Sequence, residues 1–198
     1  MRDDFMSGLG ENAWLLYGLV RAIRPEVSVE IGSARGKSAC YMGMALRENG
    51  SGKLYAIDPH CKTDWNDGGP VETLEIMAGN IKRFGLEDYV EIIRATSKEA
   101  AGSWKLPIDI LFIDGNHSYE GVSSDWMLYS RFLSPFGIAI FHDTMWELQG
   151  NPSPDMGVPK FVEDLRRQGY PVITLDRDFG ITIIQPVVGG IPLCKGKE

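Results

Sequence analysis

Cysteine is scarce in this chain, and its scarcity excludes two ways of holding a small fold together. The 198 residues include three cysteines, Cys40, Cys61 and Cys194, which are widely spaced and form no C-x-x-C pair. Neither a disulfide framework nor a zinc site is indicated by this pattern. Because 43% of the residues are hydrophobic, the chain can bury a core without such links. We expect a single domain over residues 1–198.

The sequence also lacks an excess of positive charge and long apolar runs. It has 20 Lys and Arg against 27 Asp and Glu, a formal net charge of -7 and a pI near 5.0. A field of this sign opposes binding to nucleic acids and anionic membranes. No stretch approaches the roughly 18 to 20 apolar residues that span a bilayer, and no basic leader precedes an apolar run. We expect a cytoplasmic protein with a small-molecule partner, without nucleic acid or membrane.

Short apolar strands alternate with helix-forming segments along the chain. The predicted strands are 27–31, 53–57, 90–94, 108–113, 137–141, 171–175 and 181–186. The predicted helices are a lead-in helix at 12–23 within residues 1–25, then 38–48, 71–84, a turn near 97–103, 119–132 and 158–168. Nearly continuous apolar strands are typical of a parallel sheet covered on both faces. The pattern predicts a Rossmann-like, doubly wound α/β fold, a three-layer sandwich around a mostly parallel seven-stranded sheet. The short spacing of the last two strands predicts an antiparallel C-terminal edge strand.

A glycine-containing loop follows the first strand, with the sequence Glu30-Ile31-Gly32-Ser33-Ala34-Arg35-Gly36-Lys37-Ser38. Such a loop between a strand and a helix builds a ligand site, because glycine allows a tight turn and a close approach to the backbone. Enzymes that bind a dinucleotide pyrophosphate use G-x-G-x-x-G, whereas this loop has G-x-x-x-G and follows an acid. A carboxylate at Glu30 repels phosphate and suits an amino group.

This acid-and-glycine pattern resembles the first motif of the S-adenosylmethionine-dependent methyltransferases. The resemblance implies that the loop lies against the methionine and ribose part of S-adenosylmethionine. Asp58, at the end of the next strand, matches the family's acid that accepts hydrogen bonds from both ribose hydroxyls. Ser97 falls where related enzymes contact adenine. The candidate cofactor-binding residues are Glu30, Gly32, Ser33, Gly36, Ser38, Asp58, Ser97 and Asp114.

Two polar clusters follow the fourth and fifth predicted strands, at 114–120 and 142–144. The carboxyl ends of parallel strands share one edge of the sheet, so both clusters are expected to face the crevice of Asp58. The sequence D-G-N-H-S-Y-E-G-V followed by F-H-D-T resembles one branch of the family, the small methyltransferases akin to macrolide-sugar O-methyltransferases and cephalosporin-biosynthesis enzymes. The resemblance covers residues 27–184.

The same branch implies a metal site. In its metal-dependent O-methyltransferases, an Asp at the fourth strand and an acidic pair at the fifth hold magnesium. Asp114 and Asp143 match this pattern, but His142 stands where those relatives have a carboxylate, and magnesium prefers oxygen ligands. The candidate metal ligands are therefore Asp114, His142 and Asp143. The alternative is that the two aspartates bind substrate or cap neighbouring backbone.

His117 is the candidate catalytic residue. It lies three residues after Asp114, the position from which relatives present a general base to the acceptor hydroxyl. Imidazole has a reference pKa near ~6.5, so a neutral histidine can take a proton as the oxygen attacks the methyl group. A structural or surface role is the alternative. Tyr119, Trp146 and a loop at 60–70 that includes Trp65 are further candidates for a lid or an acceptor pocket.

Three functions are compatible with these patterns. The first is O-methylation of a hydroxyl on a small natural product or sugar, with S-adenosylmethionine as cofactor and Mg²⁺ as a candidate second one. The second is a nicotinamide-dependent oxidoreductase, but the loop lacks the third glycine of the G-x-G-x-x-G pattern that such enzymes use. The third is a non-catalytic cofactor-binding protein, against which Asp114, His117 and Asp143 count. N- and C-methylation stay open. A homodimer is also expected, because the N-terminal helix and the long loops could cover one another.

Overall fold

The computed structural model of the protein describes residues 5–62, 71–146 and 155–186. The helices are α1 (Asn12–Ile23), α2 (Lys37–Asn49), α3 (Leu74–Arg83), α4 (Ser97–Ala101), α5 (Tyr119–Tyr129) and α6 (Val158–Arg167), with a 3-10 turn at Ser130–Phe132. The strands are β1 (Val27–Ile31), β2 (Lys53–Ile57), β3 (Val90–Ile93), β4 (Ile108–Ile113), β5 (Leu133–His142), β6 (Val172–Leu175) and β7 (Ile181–Ile184). Every predicted helix and strand is present. Most of the loop predicted at 60–70, with Trp65, most of a second predicted long loop at 149–157, and Cys194 lie outside the described residues.

β5 is the element whose predicted start differs most from the structure. It begins at Leu133 instead of residue 137, and Leu133 pairs with Ile108 of β4 across an irregular register. The segment before Gly137 contains Pro135 and the exposed Phe136, so its pattern does not read as a buried strand. Pairing with β4 therefore extends β5 over residues whose local sequence does not predict a strand.

The seven strands form one sheet in the order β3-β2-β1-β4-β5-β7-β6. The first five strands pair in parallel. β7 is antiparallel to both β5 and β6 and lies between them, so the antiparallel pairings are confined to the C-terminal end of the sheet. The predicted Rossmann-like, mostly parallel α/β fold is confirmed.

Helices cover the sheet on both faces and create two apolar clusters. Successive strand residues point to opposite faces, so Phe112 and Ile140 pack with the cluster that contains α1 and α2. Leu111 and Phe141 pack with the cluster that contains α5 and α6. All four side chains are fully buried. Among the described residues, no helix combines the length and apolar character needed to cross a bilayer.

The register of the parallel strands brings the candidate residues to one edge. Ile31, the last residue of β1, is level with Ile57 of β2 and Ile113 of β4, and Ile113 is level with Phe141 of β5. The residues that follow each strand therefore emerge together at the carboxyl edge, where open α/β sheets bind their ligands.

Candidate active site

The loop after β1 is folded tightly against the end of β4. Gly32 has φ +87°, and a Cβ built on it would lie 2.1 Å from the carbonyl oxygen of Asp114. Gly36, which precedes α2, has φ +81°. Ala34 is held at φ +41°, a left-handed conformation that is strained for a residue other than glycine. Gly32 thus lets the predicted cofactor loop approach Asp114 closely, whereas a Cβ built on Gly36 would lie 2.8 Å from Met77 Cγ of α3.

Glu30 fastens β1 to α2. It is fully buried, and its Oε1 accepts a hydrogen bond from the Ser38 hydroxyl. Burial raises the pKa of Glu30 to about 8, although the hydrogen bond from Ser38 acts in the opposite direction. Glu30 does not line either of the two cavities described below. Its contact with the cofactor stays a prediction, and its visible role is to brace the loop.

The raised pKa of Glu30 makes a prediction about stability. The folded-state pKa of about 8 exceeds the ordinary 4.5. The protonated Glu30 side chain therefore makes its full contribution to the free energy of unfolding below pH 4.5, and this contribution is lost as the pH rises through 8. The Glu30→Gln variant, which cannot ionise, should therefore gain stability over the wild type between pH 5 and 8, by about 3 kcal/mol or roughly 5 to 10 °C in Tm. Thermal denaturation of the ligand-free proteins measures this. The exposed Glu26→Gln serves as the control, and a difference independent of pH would contradict the assignment.

Asp58 ties the turn after β2 to the loop after β1. Its Oδ2 accepts from the Ala34 N–H at 2.9 Å, and its Oδ1 accepts from the His60 N–H at 2.6 Å. Each carboxylate oxygen has a second lone pair, so Asp58 can still accept hydrogen bonds from a ligand. The His60 ring is buried and hydrogen-bonded to the Thr73 hydroxyl at 2.9 Å, and burial lowers the pKa of His60. The position predicted to meet the ribose is thereby held rigidly.

The larger of two cavities at this edge opens beside Asp58 and has a volume of about 480 Å³. Ser97, the predicted adenine contact, lies on its wall at the start of α4, which Thr96 caps. Asp125 of α5 also lines this cavity and is buried. Burial raises the pKa of Asp125 to about 6, and a hydrogen bond from Ser97 opposes the rise. Asp125 was not among the residues predicted for the site, although a lone acid between the apolar Val122 and Trp126, both buried, is a signal that the sequence contains.

The smaller cavity, about 180 Å³, lies on the other side of the β4 end. Its walls include Ser33, Arg35, Lys37, Ser38, Asp114, His117, His142, Asp143, Trp146 and Phe179. Gly32, Ala34, Asp114 and His117 line both cavities. The two cavities therefore meet at the polar cluster that follows β4. Tyr119 lines neither cavity, and its hydroxyl donates to Asp164 at 2.9 Å.

His117 faces two carboxylates in the smaller cavity. Its Nε2 lies 3.1 Å from Asp143 Oδ2 and 3.6 Å from Asp114 Oδ1. The N–H of Gly157 donates to the His117 carbonyl at 2.7 Å, which anchors the loop to the start of α6. Burial lowers the pKa of His117, but the nearby carboxylates of Asp114 and Asp143 outweigh burial and raise the pKa above 6.5. The structure thus brings the candidate base and both aspartates together.

His142 is buried between the same carboxylates and a backbone carbonyl. Its Nδ1 lies 3.2 Å from Asp114 Oδ1 and 3.3 Å from Asp143 Oδ1, and its Nε2 lies 3.0 Å from the Asp178 carbonyl oxygen. These partners are acceptors only, so both ring nitrogens carry protons. Burial opposes this charge, but Asp114 and Asp143 raise the pKa of His142 well above 6.5. Burial likewise raises the pKa of Asp114, but the charge and hydrogen bond of His142, together with the nearby His117 ring, outweigh burial and lower that pKa to about 2.

Of the predicted metal ligands Asp114, His142 and Asp143, the geometry makes His142 the least suited to bind a metal ion. A doubly protonated His142 has no lone pair to offer a metal ion. Asp114, His117 and Asp143 instead offer one donor atom each, all within 4.8 Å of one another. That set mixes imidazole with carboxylates, whereas magnesium prefers oxygen ligands. As placed, His142 acts as a cation that offsets one of the two aspartate charges.

Comparison with known proteins agrees with the fold. A family model described as a methyltransferase domain matches residues 29–144. The SAH-bound methyltransferase PaMTH1 of Podospora anserina has a TM-score of 0.67 at 17% identity, covering 87% of this chain and 76% of that chain. The O-methyltransferase TomG of Streptomyces achromogenes, involved in tomaymycin synthesis and solved with SAM, has a TM-score of 0.68 at 18% identity, covering 89% and 79%.

A curated relative is also similar in sequence. The uncharacterized protein R132 of Acanthamoeba polyphaga mimivirus is 29% identical over 147 residues, which are 72% of this chain. The chain spans 62% of the length of that relative. The family model covers residues 29–144 of the 198, which is more than half of the chain and includes the glycine loop and both polar clusters. The chain therefore belongs to this methyltransferase domain family.

Proposed function

We propose that this protein transfers the methyl group of S-adenosylmethionine to a hydroxyl of a small natural product or sugar. The observation that carries the proposal is the junction of the two cavities at Gly32, Ala34, Asp114 and His117. One cavity suits the adenosine part of the cofactor, and the other places an acceptor beside a histidine base. The TomG structure, that of an O-methyltransferase with SAM, supports the same reaction class.

The residues of the larger cavity fit the cofactor. Asp58 keeps unused lone pairs toward the cavity for the two ribose hydroxyls. Ser97 and Asp125 share the same cavity, and the Asp125 carboxylate is suited to accept from the adenine amino group. Gly32 leaves room for the loop and ligand to pass beside Asp114. When bound, S-adenosylmethionine supplies an electrophilic methyl group on sulfur.

His117 would act as the general base for the acceptor hydroxyl. Because Nε2 faces the acceptor-only carboxylates of Asp143 and Asp114 and so carries a proton, the other ring nitrogen, Nδ1, takes the hydroxyl proton while the oxygen attacks the methyl group in line with the departing sulfur. Asp143 and Asp114 orient the ring and stabilise the imidazolium that forms, because both lie within 3.6 Å of Nε2. The cavity would hold the acceptor against the methyl group, and such positioning supplies much of the rate in bimolecular transfers.

Magnesium fits this site poorly, and we propose a reaction without a divalent metal. The charge of His142 already offsets part of the negative charge of Asp114 and Asp143. A metal at Asp114, His117 and Asp143 would also bring a second cation beside the charged His142 ring. The site therefore favours His117 as base over His117 as ligand.

The test is an assay of S-adenosylhomocysteine release with a panel of small hydroxyl compounds, including sugars and phenols. We expect turnover that is unchanged within twofold by EDTA and by added Mg²⁺ or Mn²⁺. Loss of turnover in EDTA with recovery in Mg²⁺ would contradict the metal-free reaction. Cofactor binding without transfer to any acceptor would favour the non-catalytic alternative. The predicted cytoplasmic location and homodimer remain expectations, which fractionation and light scattering test.

A further inference from the structure

Arg35 lies on the wall of the smaller cavity with few partners for its guanidinium. Its Nε is buried and has no hydrogen-bond partner in the described part of the chain. One terminal nitrogen lies 3.1 Å from the Met6 sulfur, which is a weak acceptor. Because a buried donor without an acceptor costs free energy, this geometry indicates a ligand oxygen at Arg35.

The surroundings of Arg35 favour an anion. Lys37 is buried and lines the same cavity. α2 has 13 residues and begins at Lys37 with no acidic residue in its first turn, so its partial positive charge faces the loop uncompensated. A guanidinium matches a carboxylate with two parallel hydrogen bonds. Arg35 therefore belongs to a site built for an anionic oxygen group.

The cofactor itself carries such a group. Asp58, the predicted ribose ligand, holds the N–H of Ala34, and Arg35 is the next residue along the loop. Beyond the ribose, the cofactor continues as the sulfonium and the methionyl end, which carries an α-carboxylate. Ala34 lines both cavities, whereas Arg35 lines the smaller one, so a ligand that passes Ala34 reaches Arg35.

We propose that Arg35 binds the α-carboxylate at the methionyl end of the cofactor and so positions the sulfonium beside His117. The inference rests on the proposed function, because it takes S-adenosylmethionine as the ligand. A carboxylate on the acceptor would have the same chemistry in the same cavity, and the experiment separates these two sources.

The experiment is calorimetric titration of the full chain with S-adenosylhomocysteine and with 5′-methylthioadenosine, which lacks the amino-acid end. Arg35→Gln should weaken S-adenosylhomocysteine binding by about 10- to 100-fold, as expected for loss of a charge-assisted pair. It should leave methylthioadenosine binding within twofold of the wild type. Arg35→Lys should have an affinity for S-adenosylhomocysteine between those of the wild type and Arg35→Gln, because lysine keeps the charge but lacks the planar guanidinium. Arg131→Gln, which removes an exposed arginine before β5 at the opposite edge of the sheet, is the matched control.

Each other outcome overturns the inference. Equal S-adenosylhomocysteine affinity in the wild type and Arg35→Gln removes Arg35 from the cofactor site while leaving the proposed function intact. An equal loss for both ligands assigns the effect to a disturbed loop. A higher acceptor KM with unchanged S-adenosylhomocysteine affinity assigns Arg35 to the acceptor. A wild type that binds neither ligand overturns the proposed function as well.

Discussion

Replacing His117 with alanine is expected to lower kcat by about 100-fold or more, which is the usual contribution of a general base. The affinity for S-adenosylhomocysteine should change little, because Nε2 of His117 faces Asp143 and Asp114 in the reaction cavity. The assay is S-adenosylhomocysteine release with an acceptor found in the panel. Glu120→Gln, an exposed change at the start of α5, is the control and should retain wild-type turnover.

The pH profile sharpens this prediction. Asp114 and Asp143 raise the pKa of His117 against the effects of burial and of His142. The base form is therefore populated above an ordinary histidine pKa, and kcat should rise with pH along a limb whose midpoint exceeds 6.5. His117→Ala should lose this limb. Retention of the limb in the variant, or a kcat within a few fold of the wild type, would assign proton removal to another group.

Replacing Asp58 with alanine is expected to weaken S-adenosylhomocysteine binding by about 100-fold or more, because hydrogen bonds to a charged group contribute roughly 1.5 to 3 kcal/mol each. The variant loses the proposed acceptor for the ribose hydroxyls and also releases the N–H groups of Ala34 and His60. Asp58→Asn should be affected less, since the amide retains one acceptor oxygen. Calorimetric titration measures both variants.

The control for Asp58 is the exposed Asp88→Asn, which lies before β3 and outside both cavities. Melting curves separate weaker binding from loss of the fold. A folded Asp58→Ala protein that binds S-adenosylhomocysteine as the wild type does would remove Asp58 from the cofactor site.

The sequence was most informative where local pattern and tertiary environment agree. α1, β1, β2 and β4 have the predicted bounds, because each is an apolar run or an amphipathic segment ended by glycine, proline or a polar turn. The carboxyl-edge placement of Asp58, Asp114 and Asp143 followed from parallel strand order alone. The insertion of β7 between β5 and β6 had no local signal, since it depends on pairing between distant strands.

The contacts between side chains were harder to predict from the sequence than the positions of the residues in the fold. His142 was predicted as a metal ligand from its place after β5, but its second nitrogen meets the carbonyl of Asp178, which lies in the turn between β6 and β7. No spacing rule connects these two residues. Arg35 stood in the quoted loop without an assigned role, because its unpartnered Nε becomes evident only when burial is known.

The measurement that tests the central claim most directly is calorimetric titration of the wild-type chain with S-adenosylhomocysteine, with NAD as the comparison ligand. The two connected cavities at the carboxyl edge predict one S-adenosylhomocysteine site per chain, the same with and without EDTA, and no binding of NAD. Absence of S-adenosylhomocysteine binding, or binding of NAD in its place, would contradict the assignment of this edge as a methyl-transfer site.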